Sequence, residues 1–198
     1  MSGLQFPIDF TFKLSTLAND FTATDANGNV IAYVRQKMFK LKEAIQIFTD
    51  ESKSQVAYTI NADKWIDFSA AYSFKNTAGE ELGKIARKGW RSIWKAKYEI
   101  IDQNQQHQYN ITEENAWVKV FDYLLGEIPI LSFFTGYLFN PAYIVTNKDG
   151  VLIARLKKEP SLFGKKFSVA KKGEMDADDG QRIILSLMMM VLLERRRG

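Results

Sequence analysis

Few residues of this 198-residue chain are of the types that carry chemistry, and fewer stand at useful spacings. His107 is the only histidine. It lies beside the polar stretch Asp102-Gln103-Asn104-Gln105-Gln106, with no nucleophile or metal ligand near it in sequence, and reads as a loop or turn residue. Glu113 and Glu114 are adjacent acids. Followed by an apolar stripe at helical spacing, they read as first-turn acids of a helix that Thr112 caps, complementing the helix dipole. Asp176, Asp178 and Asp179 are too sparse for a calcium loop, which needs six ligand positions and a closing Glu. No cysteine is present, which excludes disulfides, thiolate metal sites and cysteine nucleophiles. No phosphate loop, dinucleotide fingerprint or metal-spaced cluster occurs. The reading is therefore of a protein with no catalytic residue, no metal and no cofactor.

What remains is charge and apolar surface. The net charge is +4, a mild basic bias compatible with anionic partners but weak for a dedicated nucleic-acid binder. Arg35, Lys37, Lys84, Lys88, Arg155 and Lys157 recur after three similar turns and are the candidate contacts for anionic lipid head groups. The competing reading is a solvated exterior whose lysines block edge-to-edge strand pairing. Ile128 to Phe139 is more apolar than an ordinary loop. Phe133, Phe134 and Tyr137 are its candidate interface residues, for a bilayer interface, a protein partner or a homodimer, unless the segment plugs a barrel mouth as core. Trp90-Arg91-Ser92-Ile93-Trp94-Lys95 interleaves aromatics with bases as base-stacking surfaces do. Strand alternation turns Trp94 inward with Tyr98, which favours core and argues against nucleic acid.

The elements that must position these residues are legible from an internal repeat. Asp25-Ala26-Asn27-Gly28, Asn76-Thr77-Ala78-Gly79 and Asn147-Lys148-Asp149-Gly150 each place Asn or Asp three residues before Gly. That suits a type I turn closing into the left-handed region, the connection of a bulged hairpin. The strand after each turn alternates. Ala32 and Val34, Gly83 and Ile85, and Ala154 and Leu156 face one way. Tyr33 and Arg35, Lys84 and Lys88, and Arg155 and Lys157 face the other. Further alternating runs at Ile8–Leu14, Leu41–Phe48, Gln55–Ile60, Ile66–Phe74, Ile93–Ile101, Gln108–Ile111 and Lys165–Ala170 bring the total to roughly a dozen short strands, the pattern of an all-β barrel or sandwich.

The small inward residues Ala32, Gly83 and Ala154 leave room inside a curved sheet. The apolar run Ile183–Leu193, broken only by Ser186, supplies an occupant. As a helix it is about 16 Å long, too short for a bilayer core of about 30 Å, so no transmembrane span is expected. A helix apolar on all sides must be buried on all sides. The expected fold is mainly β: roughly twelve antiparallel strands closing a barrel around a C-terminal helix at about 180–195, in one domain spanning 1–198. An insert at 113–139 opens with an amphipathic helix, Glu113–Leu125. Residues 1–14 lack the basic and apolar regions of a signal peptide. A cytoplasmic protein, at most peripheral to a membrane, is expected.

The repeated turn–strand unit, the segment Phe39-Lys40-Leu41-Lys42-Glu43 and the terminal apolar helix resemble the Tubby C-terminal-like superfamily. Within it, the chain is similar to LURP-one-related and phospholipid-scramblase-like proteins. The resemblance covers most of the chain outside Glu113 to Phe139 and implies a twelve-stranded barrel around a central helix. It also implies binding without catalysis: Tubby proteins bind phosphoinositides, scramblases are associated with a calcium site, acylated cysteines and a membrane-embedded helix, and plant LURP-one relatives act in defence. This chain has no cysteine to acylate. No position matches a lipid-binding motif of the family, so no binding residue carries over.

Overall fold

A computed structural model describes residues 3–13, 20–35, 44–63, 71–87, 97–114, 142–160 and 165–195. Twelve strands run β1 (Ile8–Phe12), β2 (Phe21–Thr24), β3 (Val30–Arg35), β4 (Ile45–Phe48), β5 (Val56–Ala62), β6 (Ala71–Asn76), β7 (Glu81–Arg87), β8 (Lys97–Asp102), β9 (His107–Glu113), β10 (Ala142–Asn147), β11 (Leu152–Glu159) and β12 (Lys166–Lys171). Each pairs antiparallel with its chain neighbours, and β12 pairs with β1, so the sheet closes into a barrel. One helix among the described residues, α1 (Ala177–Arg195), threads it.

The hairpins explain the closure. Gly28, Gly79 and Gly150 have φ of 81°, 82° and 80°, and their N–H groups donate to the carbonyls of Asp25, Asn76 and Asn147 at 3.0, 3.0 and 3.1 Å. The Asp25, Asn76 and Asn147 side chains also accept from the N–H groups two and four residues on. The same turn occurs twice more without glycine. Lys53 has φ of 59° and donates to the Asp50 carbonyl at 3.3 Å; Gln105 has φ of 63° and donates to the Asp102 carbonyl at 3.1 Å. Pairing shifts by one residue in each of these five hairpins, so the unit is a bulged hairpin used five times. Bulges add local twist and bend, which a closing sheet needs.

The core is where the helix meets the wall. Side chains from Ile183 to Leu192 are at most 2% exposed. They share one buried cluster with Ile8, Phe10, Phe21, Ala32, Phe74, Ile85, Ile100, Ala154 and Leu156. Phe21 packs against Phe10 and Phe12 with ring centroids 5.4 and 4.9 Å apart. The helix starts on a cap: the Asp176 carboxylate accepts from the Asp179 N–H at 2.7 Å, with Asp178 and Asp179 in the first turn. It lies nearest β7 and β8. Gly83 allows that approach, because a Cβ there would lie 2.5 Å from the Ile101 carbonyl oxygen and 2.9 Å from Arg182 Cδ.

Two local expectations are corrected. Thr112 and Glu113 do not open a helix; they end β9, where Thr112 pairs with Lys97 and Ile144, and Glu113 is buried. The alternation His107, Tyr109, Ile111, Glu113 on one strand face accounts for it. His107 is not a loop residue but the first residue of β9, opposite Ile101. Tyr33 does point out of the barrel, yet is only 3% exposed. The β4–β5 tip folds over it: Lys53 Nζ lies 5.1 Å from its ring centroid, and Glu51 accepts from Thr22 and Lys13. The helix expected within 113–139 otherwise lies outside the described residues.

Candidate functional site

In a closed antiparallel barrel the connections alternate between two rims. The five bulged turns share one rim, where α1 also begins. The chain leaves the other rim after β1, β3, β5, β7, β9 and β11. The candidate bases divide between these levels. Arg35 ends β3 at the second rim and is exposed, and Lys157 lies near the end of β11, also exposed. Lys84 and Arg155 sit within strands: Lys84 donates to Gln105 of a turn, and Arg155 pairs with Glu114 at 2.7 Å. Around the circumference β3, β7 and β11 are four strands apart, so Arg35, Lys84 and Arg155 are far from one another. Lys37 and Lys88, like Phe133, Phe134, Tyr137, Trp90 and Trp94, lie outside the described residues.

The ion pairs on the outer wall temper its charge. Lys166 meets Asp9 at 2.8 Å and Lys157 meets Glu159 at 3.7 Å. All are substantially solvent-exposed, so each contributes little to stability. Their effect is on the field: a paired lysine offers less attraction to an anion than an open one.

The densest polar arrangement lies at the turn rim and was not anticipated from sequence. Arg182 is 6% exposed. Its Nε donates to the Leu82 carbonyl at 2.9 Å, one terminal nitrogen to Asp179 at 2.6 Å, and the other to Gln103 at 3.0 Å. Asp179 also accepts from the Tyr109 hydroxyl at 2.5 Å. Burial and that bond raise the Tyr109 pKa above its ordinary value. Asp102, in the neighbouring turn, is pulled upward by burial but held below the ordinary carboxylate value. The Gln106 N–H, the Gln108 amide, the Asn104 N–H and the Arg182 charge all favour its ionised form. The available signal was the spacing of Asp179 and Arg182, which shares a helix face, just ahead of an apolar run that must enter the barrel.

Beside this network is a cleft of about 320 Å³ lined by Glu80, Glu81, Leu82, Gln103, Asp178, Gln181 and Arg182. The guanidinium is committed to three protein acceptors, so the cleft presents carboxylates and amides instead of a free cation. A smaller pocket of about 150 Å³ lies between Leu4, Phe6, Met175 and Ala177. Among the described residues no group of His, Asp and Glu is arranged to hold a metal ion. No described helix is long and apolar enough to cross a membrane.

These features define a helix-filled twelve-stranded barrel whose usable surface is its exterior and its rims. The sequence profile of the LURP-one-related family matches residues 30–183. The chain belongs to that family. In three dimensions it is similar to the X-ray structure of a protein from Arabidopsis thaliana, with a TM-score of 0.51, 13% identity, and coverage of 98% of this chain and 94% of that one. At that identity the likeness concerns the fold. No curated protein matches the chain in sequence.

Proposed function

We propose that this protein is a non-catalytic binding module that docks on anionic lipid head groups, phosphoinositides included, at a cytoplasmic membrane surface. The carrying observation is that its own helix fills the barrel, with the side chains from Ile183 to Leu192 at most 2% exposed. A ligand must therefore meet the outer wall or a rim. On that wall Arg155, Lys157 and Lys166 face outward from the adjacent strands β11 and β12, each beside one acid, Glu114, Glu159 and Asp9, and Lys158 and Lys165 stand at the strand ends. Opposite Arg155 and Lys157 are the small residues Ala170 and Ser168, which leave the cations open on that side. Arg35 and Lys84, with Lys37 and Lys88 next to them in sequence, extend the candidate set to other strands.

Sedimentation with phosphatidylcholine vesicles, with and without phosphatidylserine, tests this. Binding should require the anionic lipid and weaken as salt rises, because screening acts over about 10 Å at 0.1 M ionic strength. Failure to sediment with anionic vesicles at low salt would sink the reading. A second reading takes the protein as an interaction scaffold or homodimer through 128–139, on the strength of the apolar composition around Phe133, Phe134 and Tyr137. An unchanged mass for Phe133→Asp, Phe134→Asp on size exclusion would count against it.

A further inference from the structure

The barrel is electrostatically polar along its axis. At the turn rim acids prevail: Asp25, Glu80, Glu81, Asp149, Asp176 and Asp178 stand on the turns and at the helix start, against few bases such as Lys148 and Lys172. At the opposite rim bases prevail among the described residues. Arg35 ends β3, Arg87 ends β7, Lys97 begins β8, Lys157 and Lys158 lie near the end of β11, and Lys165 precedes β12. Acids at that rim are fewer: Asp20 and Glu113 are buried, Asp63 follows β5, and Glu159 and Glu114 pair with Lys157 and Arg155. The bases are thus dispersed around the circumference but gathered at one axial level.

Resting on the lipid reading above, we infer that the protein meets an anionic bilayer end-on, with the rim of Arg35, Lys97 and Lys157 toward the lipid and the turn rim facing away. The strands are about 20 Å long at roughly 3.3 Å per residue. That is about two Debye lengths at physiological salt, so the acidic rim's repulsion is screened from a membrane touching the other end. In a side-on pose the wall would bring acids and bases to the surface together. In a turn-down pose it would press carboxylates onto anionic head groups. End-on contact brings several cations to the lipid with the fewest acids beside them. Each cation is expected to strengthen partitioning about fivefold.

The chain has no cysteine, so a single introduced thiol is a unique label site. Pro160, exposed just after β11, reports on the basic rim, and Lys148, exposed on a turn, reports on the acidic one. Fluorophores on Pro160→Cys and Lys148→Cys would be read on phosphatidylcholine–phosphatidylserine vesicles carrying a nitroxide-headgroup lipid. Quenching at 160 with little at 148 is expected. Equal quenching at both, or stronger quenching at 148, would overturn the orientation while leaving lipid binding intact. Absence of vesicle binding by the labelled proteins would overturn the lipid reading and the orientation with it. As an independent readout, Arg35→Gln, Lys97→Gln should weaken binding by about twenty-fivefold. Lys148→Gln, Lys172→Gln should change it by less than about twofold; equal losses from the two pairs would also overturn the inference.

Discussion

The helix has two unlike parts. From Ile183 to Leu192 it is apolar but for Ser186 and fully enclosed, whereas from Ala177 to Arg182 it is held by polar partners at the barrel mouth. The first part supplies most of the burial. It is a poor source of specificity, since an apolar cylinder in an apolar sleeve gains similar free energy at several rotations and depths. The second part buries less, but its hydrogen bonds are directional. Arg182 reaches the Leu82 carbonyl at only one axial position, and the missing Cβ of Gly83 makes the space for it. Enclosure and placement are thus assigned to successive segments of one helix.

The largest effect should come from the apolar part. Met189→Asp would put a carboxylate into the apolar core with no cation and only the Ser186 hydroxyl one turn away, and ionised or not it cannot be accommodated cheaply. With the lost methionine packing added, the cost is comparable to the about 5–15 kcal/mol that holds a typical domain together. Loss of the cooperative thermal transition in circular dichroism is expected; a folded variant would mean that the helix can leave the barrel without collapse.

Gly83→Ala comes next and tests placement. The added Cβ meets the Ile101 carbonyl and Arg182, and φ of +134° disfavours any side chain there. A loss of about 4 kcal/mol is expected in denaturant unfolding. Arg182→Met removes the clasp but fills the volume, and should cost about 3 kcal/mol, because Asp179 loses its charged partner. The pair should couple: part of the Gly83→Ala penalty disappears in the Arg182→Met background, and strict additivity would show that the arginine does not contend for the glycine's space.

Alkaline pH probes a polar contact on the outer wall against these. Tyr33 donates to Asp20 at 2.7 Å, and burial, then this bond, pushes its pKa up to about 12 from an ordinary value near 10. A raised folded-state pKa means that the contribution is complete below pH 10 and is lost as pH climbs from there through about 12. Tyr33→Phe should lower stability by about 1 kcal/mol at neutral pH and flatten that part of the alkaline decline. An unchanged alkaline profile would place the titration at other tyrosines, Tyr109 among them.

The barrel and its contents were legible because each rests on residue types that permit little else. Glycine at a fixed offset from Asn or Asp marks a left-handed turn, small inward residues mark room, and an all-apolar helix needs a container. The clasp was less legible, since Arg182 and Gln103 come together only through the fold, and an arginine before an apolar helix ordinarily belongs to solvent. The burial of Tyr33 depends on a hairpin tip folding back, which strand alternation does not encode. Glu113 was misread because acids after a threonine mark a helix start and a strand end with the same letters. That Arg35 and Lys157 share one axial level follows only from the topology, which their separation along the chain does not show.

The two turns without glycine give the smallest effect and return the comparison to the rim. Gly28, Gly79 and Gly150 occupy the left-handed region at no steric cost, whereas Lys53 and Gln105 hold it with a Cβ. Gln105→Gly should therefore stabilise the protein by up to about 1 kcal/mol through relief of that strain, reduced by the greater freedom glycine gives the unfolded chain. Gly150→Ala should destabilise it by about 1 kcal/mol for the converse reason. Gln105 differs from Lys53 in a way the measurement can expose. It accepts from Lys84, so its replacement also frees a cation on the wall, whereas Lys53 covers the Tyr33 ring at 5.1 Å. If Gln105→Gly stabilises and Lys53→Gly does not, strain alone governs the first turn, and at the second the contact with Tyr33 outweighs it. Destabilisation by both would mean that these side chains hold the turns together more strongly than their backbone geometry opposes them.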